Sequence, residues 1–349
     1  MKPTILAISD LFVTTEYYER CFAAHPEYEL QVIQFGSNDL LEMRDKFHRI
    51  ERHGPDEVEI PEELYTAIED ADVLMVHISP VPAKLIAKAK KLRAVLSNRG
   101  GLENIAVDEL TKRGIPLFNN PAHNTNGVAE LAIGLMVAET RNVARASMGL
   151  KNGVWREDYP NKLDVWELKG RTVGIVGFGN IGHRVAEMLQ VFGCKILVND
   201  IYYAPDDEML ATLPIKRVDL PTLMRESDIV TLHARNTEVI LDRELLSMMQ
   251  PHAYFINTAR AHMVDYDALY ELLRDGKIMG AALEVHPVEP LPADYPFLKL
   301  DNVTLTTHRG GATVNAYADS PEMLLVDYAR YLDGKKPRFF VNPAVGYGK

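Results

Sequence analysis

The stretch VGIVGFGNIGHRVAEMLQ, residues 173–190, decides how the second half of the chain folds. An apolar run precedes three glycines, and a helical pattern of apolar residues follows them. Gly177 allows a tight turn, Gly179 lets the backbone approach a diphosphate, and Gly182 allows close packing of a helix on a strand. The start of such a helix offers unpaired backbone N–H groups to an anion. The stretch therefore predicts a strand, a turn and a helix that together bind a phosphate group.

The next apolar run, KILVND at residues 195–200, completes this pattern. It ends in Asp200, eighteen residues after Gly182, where a carboxylate can accept hydrogen bonds from ribose hydroxyls. The carboxylate also repels a ribose 2′-phosphate, and Ile201 and Tyr202 after it add no positive charge. The pattern indicates a dinucleotide site and favours NAD over NADP. Two alternatives stay open here: a methyltransferase with a related glycine loop, and a glycine turn without a ligand.

Short apolar runs alternate with helical segments in two successive series. Crossovers of this kind place the strands in a parallel sheet with helices on both faces. The first series has five predicted strands: TILAISD (4–10), YELQVIQF (28–35), ADVLMVH (71–77), LRAVLSN (92–98) and IPLFNN (115–120). The second has six: TVGIVGFG (172–179), KILVND (195–200), DIVTLHAR (228–235), AYFINTA (253–259), IMGAALEV (278–285) and NVTLTTH (302–308). The sequence therefore predicts two doubly wound α/β domains, residues 1–118 with 314–349 and residues 119–313.

The segment GVAELAIGLMVAETRNVARASMGL, residues 127–150, is predicted to form one long helix. Its first half is apolar nearly all round, which is typical of a buried helix. We expect it to lie between the domains or against a second subunit, and the latter option predicts a homodimer. Residues 151–170 contain both tryptophans and few periodic signals, so an irregular arm is expected there.

Composition limits the partners and the compartment. The chain has 349 residues, and its 38 basic and 49 acidic side chains give a formal net charge of −11. This charge repels nucleic-acid phosphates and anionic membrane surfaces. The start of the chain does not resemble a signal peptide, and no apolar stretch has membrane-spanning length. Cys21 and Cys194 are far apart and lack metal-type spacing, so we expect no disulfide, no metal site and a reducing cytoplasm.

Three side chains capable of chemistry follow the last three predicted strands. They are Arg260 in INTARAHMVD, Glu289 in LEVHPVEPLP and His308 in TTHRGGAT. Because the carboxyl ends of parallel strands converge on one ligand crevice, these residues are candidates for acting together. Taken singly, each has an ordinary interpretation. A histidine beside two glycines is often a turn residue, and arginines and glutamates are often solvated charges.

Several motifs, spread over nearly the whole chain, resemble those of one enzyme family. They are SNRGGLENI (97–105), HNTNGVAELAIG (123–134), VGIVGFGNIG (173–182), INTARAHMVD (256–265), LEVHPVEPLP (283–292), THRGGAT (307–313) and FFVNP (339–343). The chain resembles the D-2-hydroxyacid dehydrogenases of the phosphoglycerate dehydrogenase type, without their C-terminal regulatory domain. The resemblance implies a flavodoxin-like substrate domain and a Rossmann NAD-binding domain. It also implies an NAD-dependent oxidoreductase that interconverts a D-2-hydroxy acid and its 2-oxo acid.

The resemblance assigns catalytic roles to the same three residues. Arg260 is expected to bind the carboxylate and the adjacent carbonyl oxygen through its planar donor fork. His308 is expected to take the proton from the 2-hydroxyl while hydride leaves C2, since an imidazole titrates near working pH. Glu289, hydrogen-bonded to His308, is expected to favour the imidazolium.

The resemblance also implies positions that bind substrate and cofactor. SNRGGLENI matches the family's substrate loop, whose backbone N–H groups hold the carboxylate, and this places Arg99, Gly100 and Gly101 at the substrate. Glu284 stands where the family usually has an aspartate near the nicotinamide amide. The further cofactor positions that the resemblance implies are Gly177, Gly179, Asn180, Ile181, Gly182, Asp200, Ala234, Thr258 and Ala259.

Some residues near these motifs depart from the family pattern, namely Arg235, Ala261, His262, Thr307 and Arg309. We hypothesise that Arg99 and Arg309, beside Arg260, make the substrate pocket unusually cationic. The substrate would then be a polyhydroxylated or phosphorylated 2-hydroxy acid, not an aliphatic one. The alternative is that Arg309 points to solvent or pairs with an acidic neighbour.

Other functions share this fold. Formate dehydrogenases use glutamine where Glu289 stands and are therefore disfavoured, whereas phosphite oxidation uses the same three residues and stays open. Nicotinamide-sensing corepressors also share the fold and the three residues. Such a binding protein is the alternative from a different functional class.

Overall fold

The computed structural model describes residues 2–202 and 212–346, and the chain divides into two compact units. The first unit comprises Met1–Asn124 and Thr313–Lys349, and the second comprises Thr125–Ala312. The chain leaves the first unit after Asn124, which is six residues later than the domain boundary predicted from the sequence after residue 118. The reason is that Asn120 still belongs to the first unit: its N–H donates to the Arg99 carbonyl at 3.0 Å and its side chain donates to the Ser320 hydroxyl at 3.3 Å.

The first unit contains a five-stranded parallel sheet in the order β2-β1-β3-β4-β5. Alternate residues of β1 enter the cores on opposite faces, with Ile5 and Ala7 on one face and Leu6 and Ile8 on the other. Both faces are therefore covered, which is the usual condition of a parallel sheet. The strands are β1 (Thr4–Ser9), β2 (Glu29–Gln34), β3 (Val73–Val76), β4 (Ala94–Ser97) and β5 (Leu117–Asn119).

Seven helices of the described residues belong to the first unit, and two of them follow the return of the chain. The returning part packs against the face of the sheet that carries Ile5 and Ala7, through Leu324, Leu325 and Tyr328. The helices before the crossing are α1 (Thr15–Phe22), α2 (Leu40–His53), α3 (Glu62–Ala67), α4 (Ala83–Lys88) and α5 (Val107–Lys112). Those after the return are α12 (Val314–Ala318) and α13 (Ser320–Leu332), followed by a 3₁₀ turn at Pro343–Val345.

The second unit contains a seven-stranded parallel sheet in the order β12-β11-β10-β9-β6-β7-β8. Its strands are β6 (Thr172–Val176), β7 (Lys195–Asn199), β8 (Ile215–Arg217), β9 (Ile229–Leu232), β10 (Tyr254–Asn257), β11 (Gly280–Leu283) and β12 (Val303–Leu305). The prediction of two doubly wound α/β domains is confirmed, but β8 was not predicted. It is a three-residue edge strand, and two of its three residues are charged, so it has no apolar run to recognise.

The helices of the second unit cover both faces of this sheet. They are α6 (Thr125–Thr140), α7 (Val143–Lys151), α8 (Asn180–Val191), α9 (Leu220–Glu226), α10 (Arg243–Leu246) and α11 (Tyr266–Arg274). Two 3₁₀ turns lie at Ala261–Met263 and Pro296–Lys299. In the part of the chain that the structure describes, none of the helices has the length and apolar character needed to cross a bilayer.

The prediction of one long helix over residues 127–150 is wrong, because α6 ends at Thr140 and α7 begins at Val143. Asn142 between them has φ +56°, a left-handed conformation that asparagine tolerates better than most residues. Its side chain donates to Asn161 Oδ1 at 2.8 Å, and Asn161 Nδ2 donates to the Thr140 carbonyl at 3.0 Å. A buried amide pair therefore satisfies the end of α6.

The expected location of α6, between the domains or against a second subunit, stays a prediction, and the structure shows how the helix packs within its own unit. Its apolar residues Ala132, Leu135 and Met136 are buried in the core of the second unit itself, together with residues of β6, β10 and α8. The apolar character of α6 therefore reflects packing on its own sheet, and it gives no support to a subunit interface.

The parallel register aligns the carboxyl ends of six strands in one row. The row consists of Asn199, Val176, Leu232, Asn257, Leu283 and Leu305. From β6 the chain continues outward through β7 and β8 on one side, and through β9 to β12 on the other. The order in which strands are added therefore changes direction between β6 and β9. Ligands of open α/β sheets bind in the crevice that this change of direction leaves outside the ends of these two strands.

Candidate active site

The glycine turn after β6 is determined by close packing against the neighbouring strand. Gly177 has φ +91°, and a Cβ atom there would lie 2.3 Å from the Ala234 nitrogen. A Cβ atom on Gly182 would lie 2.1 Å from the Gly177 carbonyl oxygen. By contrast, a Cβ atom on Gly179 would meet nothing within 4 Å. Two glycines are therefore required by the fold, while the third borders open space that a ligand can occupy.

The groups around this turn fit a dinucleotide. Helix α8 begins at Asn180 after Gly179, and no side chain caps its first turn, so the first amides lack helical partners. At the end of β7, Asp200 accepts hydrogen bonds from the N–H of Phe178 at 2.6 Å and of Tyr202 at 2.7 Å. A carboxylate has about four acceptor sites, so these bonds are compatible with hydrogen bonds from ribose hydroxyls.

Arg217 is a residue near this site that the sequence did not reveal. It lies on β8, and its Nη2 donates to the backbone carbonyl of Asp200 at 3.1 Å. The sequence-based statement that no positive charge accompanies Asp200 considered only the next two residues. Because β8 was not predicted, there was no signal that would bring Arg217 to this strand end.

His308 and Glu289 form the pair expected of a proton carrier. His308 lies three residues beyond β12 with φ +53°, and its Nδ1 is 2.8 Å from Glu289 Oε2. The other oxygen of Glu289 accepts from the His286 N–H at 2.9 Å. Partial burial by itself would raise the pKa of Glu289, but the bonds from His308 and the His286 amide lower it. With Nδ1 bound to an ionised carboxylate, Nε2 is the ring nitrogen that can exchange a proton.

Two other histidines at this edge do not have these properties. Burial lowers the pKa of His233 to about 3, so its imidazole is neutral, and its two nitrogens face the hydroxyls of Thr231 and Thr258. His286 is buried, and its Nε2 is 2.8 Å from the Thr306 carbonyl oxygen. Of these histidines, His308 alone combines exposure to solvent with a carboxylate partner.

Glu284 organises the loop that carries His308. Its side chain is buried, with only 2% of the residue exposed. Its carboxylate accepts from the Gly310 N–H at 2.8 Å, and also from the Arg309 N–H and the Thr306 hydroxyl. These bonds hold the loop on both sides of His308, whose backbone φ lies in the left-handed region. The contact of Glu284 with a nicotinamide amide, implied by the resemblance, stays a prediction.

Three arginines lie beyond the carboxyl ends of β9, β10 and β12. They are Arg235, Arg260 and Arg309, and all three are exposed. Asn257 shapes the loop of Arg260 by accepting from the Ala259 N–H at 3.0 Å and donating to the Arg260 carbonyl at 3.2 Å. Within residues 2–202 and 212–346, no carboxylate lies within ion-pair distance of these three guanidinium groups. Three guanidinium groups without a carboxylate partner among the described residues therefore lie at the strand ends of the second unit.

Arg99 differs from these arginines because it has carboxylate partners, and the hypothesis that it makes the substrate pocket cationic stays a prediction. It is buried in the first unit, where its Nη2 lies 3.2 Å from Glu51 and 3.3 Å from Glu103, and its guanidinium stacks 4.5 Å from the ring centre of Phe47. Two carboxylates thus balance its charge. Substrate binding by the backbone of Arg99, Gly100 and Gly101 stays a prediction.

Comparison with known proteins agrees with this geometry. Residues 133–310 match the family model of the D-isomer specific 2-hydroxyacid dehydrogenase, NAD binding domain. A hydroxypyruvate reductase of Thermotoga maritima is 40% identical over 262 residues, which cover 73% of this chain and 83% of that protein. A glyoxylate reductase of Thermofilum pendens is 37% identical over 290 residues, which cover 81% of this chain and 85% of that protein.

A solved structure supports the fold over the full length. The NAD-complexed D-isomer specific 2-hydroxyacid dehydrogenase of Lactobacillus delbrueckii ssp. bulgaricus aligns with a TM-score of 0.77. It is 22% identical, and the alignment covers 97% of this chain and 100% of that one. The fold and the site together define a dinucleotide-dependent oxidoreductase. The chain belongs to the D-isomer-specific 2-hydroxyacid dehydrogenase family, and it is an NAD-dependent enzyme that acts on CH–OH groups.

We expect Glu284→Ala to lower kcat by about tenfold to a hundredfold, because small displacements of a catalytic group have effects of this size. The loss arises because the N–H groups of Arg309 and Gly310 lose their acceptor and the His308 loop is no longer held. Glu284→Gln retains an amide oxygen for these N–H groups and should keep most of the activity. Steady-state turnover checks this, with the exposed Glu244→Ala as control. Wild-type kcat in Glu284→Ala would contradict the assigned role.

Proposed function

We propose that this enzyme reduces a small polar 2-oxo acid, of the glyoxylate or hydroxypyruvate type, to the corresponding 2-hydroxy acid with NADH. Where C2 of the product is a stereocentre, as in the product of hydroxypyruvate, the D-isomer is expected. The observation that carries the proposal is the 2.8 Å contact between His308 Nδ1 and Glu289, at the sheet edge where the glycine turn also lies. The names of the relatives support the choice of substrate, since one is a hydroxypyruvate reductase and the other a glyoxylate reductase.

The side chains of the second unit have complementary tasks in this reaction. Arg260 has no carboxylate partner among the described residues, although its Nη1 donates to the Ala259 carbonyl at 2.8 Å. The donor fork of its guanidinium matches a carboxylate and the adjacent carbonyl oxygen. His308 donates the Nε2 proton to the oxygen of C2 as that carbon becomes tetrahedral, and it accepts the proton in the reverse direction. Glu289 holds the imidazole in place and stabilises its charged form. The bound nicotinamide supplies the hydride.

The charge at the strand ends supports a polar substrate. Arg235 and Arg309 stand beside the sequence motifs of the site, and both are exposed without an ion-pair partner among the described residues. A cationic rim attracts an anionic 2-oxo acid and favours an additional hydroxyl or phosphate over an aliphatic side chain. Because Arg99 is paired with carboxylates in its own unit, we assign the preference for a polar substrate to Arg235 and Arg309.

We expect His308→Gln to lower kcat by about 10²- to 10⁴-fold, because the proton carrier is lost. NADH binding, measured by fluorescence, should be unchanged, since the glycine turn and Asp200 remain. Glu289→Gln should reduce kcat less, because the imidazole stays in place but its charged form is no longer stabilised. Retention of wild-type turnover by His308→Gln would exclude the proposed mechanism, whereas NADH binding without turnover in the wild type would favour a nicotinamide-sensing role.

We expect the wild-type enzyme to reduce glyoxylate and hydroxypyruvate with higher kcat/KM than the branched aliphatic 2-oxoisocaproate. Arg309→Ala should raise KM for the polar substrates, because it removes one positive charge that has no carboxylate partner among the described residues. The difference in kcat/KM between the polar substrates and 2-oxoisocaproate should therefore become smaller. Kinetics with a panel of 2-oxo acids tests this, and 3-phosphohydroxypyruvate in the panel reports whether a phosphate is preferred. Arg243→Ala, which removes an arginine already paired with Glu271, is the matched control. A preference for the branched acid would overturn the substrate proposal.

We also propose a homodimer, on grounds other than those suggested by the sequence. Large apolar side chains are exposed along α7 and the irregular arm after it, and a concentration of this kind is unusual for a monomer surface. Trp155 is 80% exposed and Leu163 is 100% exposed. The others in this region are Val143, Met148, Leu150, Val154 and Val165. Aromatic and apolar side chains of this type are enriched in subunit interfaces.

The double variant Trp155→Asp and Leu163→Asp should sediment as a monomer, because two charges would have to be buried in the interface. The wild type should sediment with twice the mass of the chain at micromolar concentration. Val191→Asp, at an exposed position on α8, is the control and should remain dimeric. A wild-type protein that sediments as a monomer would refute the dimer.

A further inference from the structure

A group of metal-ligating side chains lies in the first unit and takes no part in the proposed reaction. Cys21 is in the last turn of α1, His25 follows the end of that helix, and Glu322 is in the first turn of α13. The Sγ, Nε2 and carboxylate oxygen atoms of these residues all lie within 4.8 Å of one another. Thiolate, imidazole and carboxylate are the three ligand types that zinc takes in proteins.

The distances are close to those that a single ion requires. Glu322 Oε2 lies 3.6 Å from Cys21 Sγ and 2.7 Å from His25 Nε2. Ligand bonds of about 2.0–2.3 Å in a tetrahedral arrangement separate neighbouring donor atoms by roughly 3.3–3.8 Å. The contact between the carboxylate and the imidazole must lengthen, and the third pair of donor atoms, from Cys21 and His25, lies within 4.8 Å. Glu322 is half exposed, and a side chain at the first turn of a helix can make this adjustment.

The surroundings of His25 resemble the support that metal-bound histidines receive. Its Nδ1 lies 3.2 Å from Glu27 Oε1, while its Nε2 faces Glu322. A carboxylate that accepts from the second ring nitrogen orients a metal-bound imidazole and increases its basicity. Burial by itself would lower the pKa of His25, but the hydrogen bonds to Glu322 and Glu27 raise it. A metal bound at Nε2 would replace the contact of this nitrogen with Glu322 and leave the contact of Nδ1 with Glu27 in place.

We propose that Cys21, His25 and Glu322 bind one Zn²⁺ ion, with a fourth position open to water. On binding, the S–H bond of Cys21 and the Nε2–H bond of His25 break, and two protons pass to the solvent. Bonds from the metal to sulfur, nitrogen and oxygen form, and no group is oxidised or reduced. The thiolate and the carboxylate neutralise the two charges of the ion. The side chain of Cys21 is nearly buried, which protects the metal–sulfur bond from solvent.

The site joins parts of the chain that are remote in sequence. Cys21 and His25 are four residues apart, but Glu322 follows His25 by 297 residues, after the chain has passed through the second unit. A metal at this position would connect α1 to α13, the second helix after the chain re-enters the first unit. The expectation that no metal site exists considered cysteine spacing alone, and spacing does not detect a ligand set of this kind.

Titration of the chelator-treated full-length protein with Co²⁺ tests the proposal. We expect one equivalent of Co²⁺ to produce a thiolate-to-metal charge-transfer band in the near ultraviolet, and Zn²⁺ to abolish it. Cys21→Ser should lose this band, whereas Cys194→Ser should retain it. The control is well matched, because the chain has only these two cysteines and both are buried free thiols. His25→Ala and Glu322→Gln should weaken binding by at least about tenfold.

Thermal unfolding provides a second measurement that does not depend on a cobalt spectrum. A ligand that binds only the folded state raises Tm, so Zn²⁺ should raise the Tm of the wild type and of Cys194→Ser but not of Cys21→Ser. No charge-transfer band in the wild type, or a band that persists in Cys21→Ser, would show that the three side chains form a hydrogen-bonded cluster only. Neither readout involves NAD or the 2-oxo acid, so the result is independent of the proposed reaction.

Discussion

The parallel register of the seven-stranded sheet is the constraint on which the site depends. It aligns the ends of six strands in one row, so residues from distant parts of the chain emerge at the same edge. The sheet can place β6 beside β9 only because Gly177 has no side chain, since a Cβ atom there would collide with Ala234. The missing Cβ atoms of Gly177 and Gly182 thus allow the close packing at the turn where the dinucleotide is expected to bind.

Two carboxylates at this edge have different tasks that follow from their surroundings. Glu284 is buried, and the hydrogen bonds described for it all go to the loop that contains His308. Glu289 is partly exposed, and one of its oxygens contacts the imidazole. The first carboxylate therefore holds the loop of the histidine, and the second contacts its ring and sets its orientation. Arg235, Arg260 and Arg309 at the same edge have no carboxylate partner among the described residues, whereas Arg99 of the first unit is paired with Glu51 and Glu103.

Much of the fold and of the candidate site could be predicted because the signals are local. All eleven predicted strands are present, and so is the turn–helix pattern at Gly177, Gly179 and Gly182. The long helix was predicted wrongly at Asn142, because its break depends on a hydrogen bond to Asn161, nineteen residues away. The edge strand β8 was missed because its pairing with β7, and not its composition, makes it a strand. The partners of Arg99 and the position of Arg217 were hidden for the same reason.

The sequence by itself determined the α/β class, the glycine turn, the acidic end of β7 and the identity of the residues that follow each strand. These features depend on periodicity and on neighbours within one supersecondary unit, and a linear pattern contains that information. Only the tertiary structure decided which charges are balanced, which histidine is exposed, and which distant side chains meet, as Cys21 and His25 meet Glu322. Distances and burial arise when strands and helices pack, and residues separated by hundreds of positions carry no local signal of that contact.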